Sequence, residues 1–242
     1  DQHRFSEDLD FIHCKSHEWR EMSRNQREKK IKQFIDAFVL KLKEVTDSLS
    51  LEFNTDRSNT KFCTILHGRA VYTFRIYYSE DRYIKIEINF VEKMIHQPVK
   101  VSIKAITDFF DSKELMFTLG LKIENFKVLS YPLEEIIIEK YRAVLTRNEL
   151  KERDLFDLFL ITSSLGVNSS QIVEKIKNSS LIKRGLNNTI TGKLTLLEKN
   201  DFFKSEERIE DLAIVRYNLP EFEAFKERIK PILIEVCKLF LQ

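Results

Sequence analysis

Glycine and proline are scarce. Five Gly and four Pro in 242 residues leave little room for long irregular loops, so the chain reads as regular structure with short connections. Cysteine is scarce too: Cys14, Cys63 and Cys237 are odd in number and far apart, which speaks against a disulfide framework or a zinc-type spacing and fits buried thiols in a reducing cytoplasm. No apolar run approaches the roughly 18 residues of a membrane helix, so no membrane span is expected. The polar first residues argue against a signal peptide. An excess of one charge is missing as well, with 40 Lys and Arg against 38 Asp and Glu; any nucleic-acid surface is therefore local. Neither a glycine-rich phosphate loop nor a Ser–His–Asp arrangement can be assembled. His13 and His17 would align on a helix, but no third metal ligand lies near them in sequence.

What is present is enough apolar sequence, 43% of the chain, for one large domain or two small lobes with cores of their own. Ile31, Phe34, Ile35, Phe38, Leu42, Val45 and Leu49 recur at helical spacing and predict a long amphipathic helix over 28–49. From 51 to 104 the period changes to two. Strands are expected at 51–53, 62–66, 70–78, 83–91 and near 100–104, with 70–78 and 83–91 joined as a hairpin. From Tyr131-Pro132 onward the pattern is helical. The segment 175–191 reads as a polar, turn-rich connector, and helices are expected at 205–217 and 221–241, the last kinked or split at Pro231. The resulting expectation is an α+β chain, with a mixed α/β lobe over 1–130 and a helical lobe over 131–242.

The front of the chain, Arg4-Phe5-Ser6-Glu7-Asp8-Leu9-Asp10-Phe11, places Asp8 and Asp10 on one face of a strand with Leu9 and Phe11 on the other. Their Cα atoms would stand roughly 6.5–7 Å apart. Two carboxylates so spaced can converge on divalent ions of the kind that hold a nucleoside triphosphate; a solvated strand edge gives the same pattern. In 83–91, Ile84, Ile86, Ile88 and Phe90 alternate with Tyr83, Lys85, Glu87 and Asn89, so Glu87 lies mid-strand on a polar face as a plausible third carboxylate. In the helix over 133–146, Leu133, Ile136, Ile137, Ala143 and Val144 form an apolar arc that includes Lys140, while Glu135 and Arg142 fall on the opposite side. An inward lysine calls for an anion, or else snorkels along the edge of the arc. The next helix opens with Asp154 and Asp157 three residues apart on one face, and Asp154 flanks Leu158 and Ile161. The helix dipole accounts for one of them without any function.

The ordered set Arg4-x-Ser6-x-Asp8-x-Asp10-Phe11, Lys85-x-Glu87, Glu139-Lys140, Arg147 and Arg153-Asp154-x-x-Asp157 resembles the AbiEii-type nucleotidyltransferases, the toxin halves of type IV toxin–antitoxin and phage-abortive systems. The similarity runs from residue 4 to about 163, roughly two thirds of the chain. The resemblance implies a nucleotidyltransferase-fold mixed sheet with flanking helices, followed by a helical lobe. It implies that Asp8 and Asp10 hold Mg²⁺ with Glu87 as third carboxylate, and that Asp157 completes the cleft. Arg4, Ser6, Lys85, Lys140 and Asp154 would lie around the nucleotide, with Lys140 on its phosphates. The implied activity is transfer of a nucleotide from a nucleoside triphosphate to an acceptor, tRNA in related toxins, by a cytoplasmic protein restrained by a cognate antitoxin. The family's Gly-Gly or Gly-Ser turn, a short way before its Asp-x-Asp, has no counterpart in a sequence that starts at Asp1. The expectation is a chain that begins late; the alternative is a catalytically inactive module that binds a protein or RNA.

Overall fold

A computed structural model describes residues 8–13, 18–19, 21–103, 126–162, 166, 168–178, 185–205, 207–211, 213 and 216–242. The first strand, β1 (Asp8–Ile12), is followed by helix α1 (Arg24–Ser48). A capping box starts that helix: the Ser23 hydroxyl accepts from the Gln26 backbone N–H, and Gln26 accepts from the Ser23 backbone N–H. Then come β2 (Cys63–Leu66), β3 (Val71–Tyr77) and β4 (Tyr83–Asn89). These strands form one mixed sheet in the order β1-β4-β3-β2, with β1 parallel to β4 and the other pairs antiparallel. The expected 51–53 strand contracts to a single bridge between Glu52 and Tyr77.

Strict alternation gives this sheet two unlike faces. Tyr72, Phe74, Ile76, Ile86 and Ile88 are buried with Ile31, Ile35, Val39 and Leu42 of α1, and Trp19 stacks on Phe90 with ring centroids 5.7 Å apart. The other face carries Asp8, Asp10, Lys85, Glu87, Thr73 and Arg75, which the register sets side by side across β1, β4 and β3.

A two-stranded ribbon, β5 (Val99–Ser102) with β6 (Lys127–Ser130), precedes the helices. They are α2 (Leu133–Thr146), α3 (Glu152–Ile161), α4 (Ser169–Asn178), α5 (Leu186–Glu198), a short 3₁₀ turn at Ile209–Asp211 and α6 (Leu219–Leu241). A second apolar cluster runs through α2 to α6, from Ile137 to Phe240. Cys63 and Cys237 are free, buried thiols; Cys14 lies outside the described residues. Among those residues no helix is long and apolar enough to cross a membrane.

Three expectations change. Most of the 175–191 connector is helix: α4 extends to Asn178, and α5 begins right after Gly185, whose φ of +77° is a conformation glycine tolerates best. Polar Asn187, Asn188 and Thr189 hide that helix from a composition reading, because only Leu186, Ile190, Lys193 and Leu197 are buried in it. The 205–217 helix is reduced, among the described residues, to the Ile209–Asp211 turn. Finally, α6 continues through Pro231. The last helix is not split.

Candidate active site

The polar face of the sheet carries the first half of the site. Asp8 is paired in register with Lys85, and Asp10 with Glu87. Because β1 and β4 are parallel, all four side chains project from the same face at neighbouring positions. The Lys85 ammonium reaches Asp8 at 2.7 Å. Burial raises the Asp10 pKa; Lys85 pulls it back, Asp8 adds to the rise, and Lys140 and Arg147 lower it. Glu87 is likewise pushed up by burial and by the charges of Asp10 and Asp8, against the pull of Lys85 and His67. Asp10 is thus open to water yet hemmed in by protein and by like charge. His67 stands in the β2–β3 turn, where His67, Gly68 and Arg69 all take positive φ.

The second half comes from α2 and α3. Lys140 lies 3.0 Å from Asp154 Oδ1 and 2.6 Å from Asp157 Oδ2. Arg147, just past the end of α2, approaches Asp154 Oδ2 to 2.6 Å as an ion pair rather than an aligned hydrogen bond. The Asp154 side chain is only 2% exposed, so its charge is retained through these two cations. The inward lysine therefore meets a carboxylate pair, and each half of the apolar-arc argument supplies the other's partner. An ammonium has three donors; Asp154 and Asp157 engage two of them. Lys140 and Arg147 are among the charges that lower the Asp10 pKa, after the larger effects of burial, Lys85 and Asp8.

A buried network stands beside this site, and the sequence gives it no role. The Asn89 side chain accepts from the backbone N–H groups of Val91 and Glu92, turning the chain out of β4. Lys175 of α4, with its side chain 1% exposed, then meets Glu92 at 3.0 Å, Glu135 at 2.8 Å, Glu139 at 3.5 Å and the Lys93 carbonyl at 2.7 Å. Glu135, placed by the helical wheel on the outward side of α2, is fully buried here. Its second oxygen accepts from the Ile95 and His96 N–H groups at 2.9 and 2.8 Å. Arg142, also expected outside, chelates Glu139 with bonds of 3.0 and 2.9 Å. Both corrections share one cause: α2 is buried on two sides, and a wheel drawn for one apolar stripe assigns the second side to solvent.

The remaining expected residues divide simply. Arg4 and Ser6 lie outside the described residues. Asp8, Asp10, Lys85 and Glu87 share the sheet face; Lys140, Asp154 and Asp157 form the cluster just described. Sequence reading counted Arg147 in the ordered set but gave it no role; its place directly after α2, seven residues before Asp154, was the available signal.

The donor chemistry of Asp8, Asp10 and Glu87 suits a hard cation such as Mg²⁺, which takes carboxylate oxygens and keeps water or phosphate in its other positions. The raised pKa values of Asp10 and Glu87 fit too, because a cation there offsets their mutual repulsion. Among the described residues no three His, Cys, Asp or Glu side chains, Asp8, Asp10 and Glu87 included, are gathered closely enough to hold a metal ion as they stand. Lys85 occupies Asp8 instead.

Compared with known proteins, the chain matches over residues 1–234 a family model described as the nucleotidyl transferase AbiEii toxin of a type IV toxin–antitoxin system. No curated protein and no solved structure matches.

Proposed function

The chain belongs to the AbiEii nucleotidyl transferase toxin family of type IV toxin–antitoxin systems, and on that premise we propose that it transfers a nucleotide from a nucleoside triphosphate to an acceptor such as tRNA, dependent on Mg²⁺, in the cytoplasm. Family membership implies a nucleotide substrate and an antitoxin partner. The observation that carries the proposal is the common field of Asp10, Lys140 and Arg147. It supports a reading in which hard oxygen donors and phosphate-binding cations serve one ligand.

In this reading Asp8, Asp10 and Glu87 would hold Mg²⁺, which would supply positive charge against that of the triphosphate. The third donor of Lys140 and the guanidinium of Arg147 bind phosphate oxygens; Asp154 and Asp157 keep both cations charged and aimed. The acceptor hydroxyl oxygen forms a bond to the α-phosphorus as the bond to the bridging oxygen breaks. Pyrophosphate leaves, and the hydroxyl proton passes to a carboxylate of the sheet face. As in other phosphoryl transfers, the side chains contribute positioning and charge stabilisation rather than covalent chemistry.

The test is incorporation of α-³²P-labelled nucleotides into RNA by the wild type and by Asp10→Asn, each with Mg²⁺ and with EDTA. The expected result is labelling by the wild type with Mg²⁺ alone. Equal labelling by both proteins removes Asp10 from the reaction. An absence of labelling by a folded, triphosphate-binding wild type favours the second reading, a binding module built on the same scaffold, for which the lysine seated on Asp8 is the favouring observation.

A further inference from the structure

The polar face does not end at the carboxylates. Where β3 turns into β4, a cavity of about 470 Å³ opens, lined by Asp8, Tyr78, Asp81, Arg82, Tyr83 and Lys85. Its volume falls within the roughly 300–1,000 Å³ typical of small-ligand sites, room for a single nucleotide. Asp8 belongs to both this cavity and the sheet face, so the two sites share a wall. From Tyr83 the strand β4 passes Lys85 and Glu87 to Asn89, beyond which lie Glu92 and the helices. The cavity is therefore at the end of the face remote from that junction, and Asp10, one pleat further along β1 than Asp8, is the carboxylate that feels Lys140 and Arg147.

The lining has a specific chemistry. Tyr78 is 55% and Tyr83 39% exposed, and exposed aromatic rings beside a polar site offer π-faces on which any base can stack. One side of Tyr83 is already met by the Arg75 guanidinium, 5.7 Å from the ring centroid, and by Tyr77 at 5.3 Å. That backing fixes the ring. Arg82 makes no ion pair among the described residues and stands free to meet a phosphodiester. Asp8 and Asp81 are acceptors only, matched to ribose hydroxyls, which is how a carboxylate distinguishes a ribonucleotide from its deoxy counterpart.

We propose that this hairpin-end cavity binds the acceptor: one nucleotide of a single-stranded RNA, its base against Tyr78 and Tyr83, its phosphodiester on Arg82, and its ribose towards Asp8. The inference rests on the nucleotidyltransferase reading and adds to it the acceptor's position. An in-line displacement needs the attacking hydroxyl and the departing pyrophosphate on opposite sides of the phosphorus. The cavity adjoins the carboxylate face at Asp8, so a hydroxyl held in it reaches that face from the hairpin end.

The experiment uses Tyr78→Ala and Arg82→Ala, both exposed turn positions outside the carboxylate and Lys140 clusters. Binding of a fluorescein-labelled single-stranded oligoribonucleotide is read by anisotropy without any triphosphate, and triphosphate binding is read separately. Each variant is expected to weaken RNA binding about tenfold, to leave triphosphate affinity unchanged, and to raise KM for RNA alone during turnover; the DNA oligonucleotide of equal sequence should bind more weakly. Unchanged RNA affinity in both variants overturns the proposal, as does a parallel loss of triphosphate affinity, which would make the cavity the donor's site. Equal binding of DNA overturns the ribose contact. Because the RNA measurement needs no transfer, a wild type that fails to label RNA refutes the catalytic reading separately from the cavity assignment.

Discussion

Lys140 and Lys193 are both lysines within apolar surroundings, and they resolve in opposite ways. Lys140 is answered by Asp154 and Asp157. Lys193 of α5 is buried and, among the described residues, has only the Asn148 carbonyl at 3.3 Å and the Phe202 ring, 5.5 Å from its ammonium, as partners, and burial lowers its pKa. A charge kept without an anion costs stability. Lys193→Met should therefore stabilise the protein by about 1 kcal/mol, read as a higher urea midpoint at unchanged m-value; a lower midpoint would show that the contact to Asn148 outweighs the buried charge. Lys140 was legible in the sequence because its partners lie one helix away, at the spacing of a helical face. Lys193 was not, since it lies just past the 175–191 connector in a stretch to which the sequence reading gave no element.

At the level of elements, the alternation of β4 disclosed the sheet's two faces directly, and with it the placement of Glu87 beside Asp10. The helix α2 disclosed only half of itself. Glu135 reads as solvent-facing because its partners, Lys175 forty residues on and the Ile95 and His96 backbone about forty residues back, are brought in only by tertiary packing; Arg142 reads so although its partner Glu139 lies on the same helix. Lys175→Met should leave Glu135 and Glu92 buried without their cation and cost about 3–5 kcal/mol, a loss visible as a lowered thermal midpoint. A loss below 1 kcal/mol would mean that water replaces the ammonium. The same network predicts an acid dependence. Burial raises the Glu139 carboxyl, but the Arg142 hydrogen bonds and charge, with Lys175, outweigh it, and its pKa in the folded chain lies below the ordinary 4.5. The unfolded chain then binds the proton more readily, so this contribution is complete above pH 4.5 and disappears as pH falls through the folded value. Urea unfolding between pH 5 and 3 should show a steeper loss in wild type than in Glu139→Gln; equal slopes would remove Glu139 from the acid response.

Across the whole molecule, one apolar cluster lies between α1 and the sheet that carries the carboxylates, and another among α2 to α6, from which the cations come. The sequence disclosed the ingredients in order, but whether Asp10 and Lys140 serve one ligand depends on how the sheet and helices meet. Local periodicity carries no information on that. A double-mutant cycle measures it. Asp10→Asn, Lys140→Met and the combined variant are compared with wild type for the rate of nucleotide transfer from a labelled triphosphate. Residues that act on one transition state are non-additive: each single variant should lose about 10²–10³-fold, and the combined variant little more than the worse single one. Losses that multiply, or a Lys140→Met rate equal to wild type, would contradict a shared site.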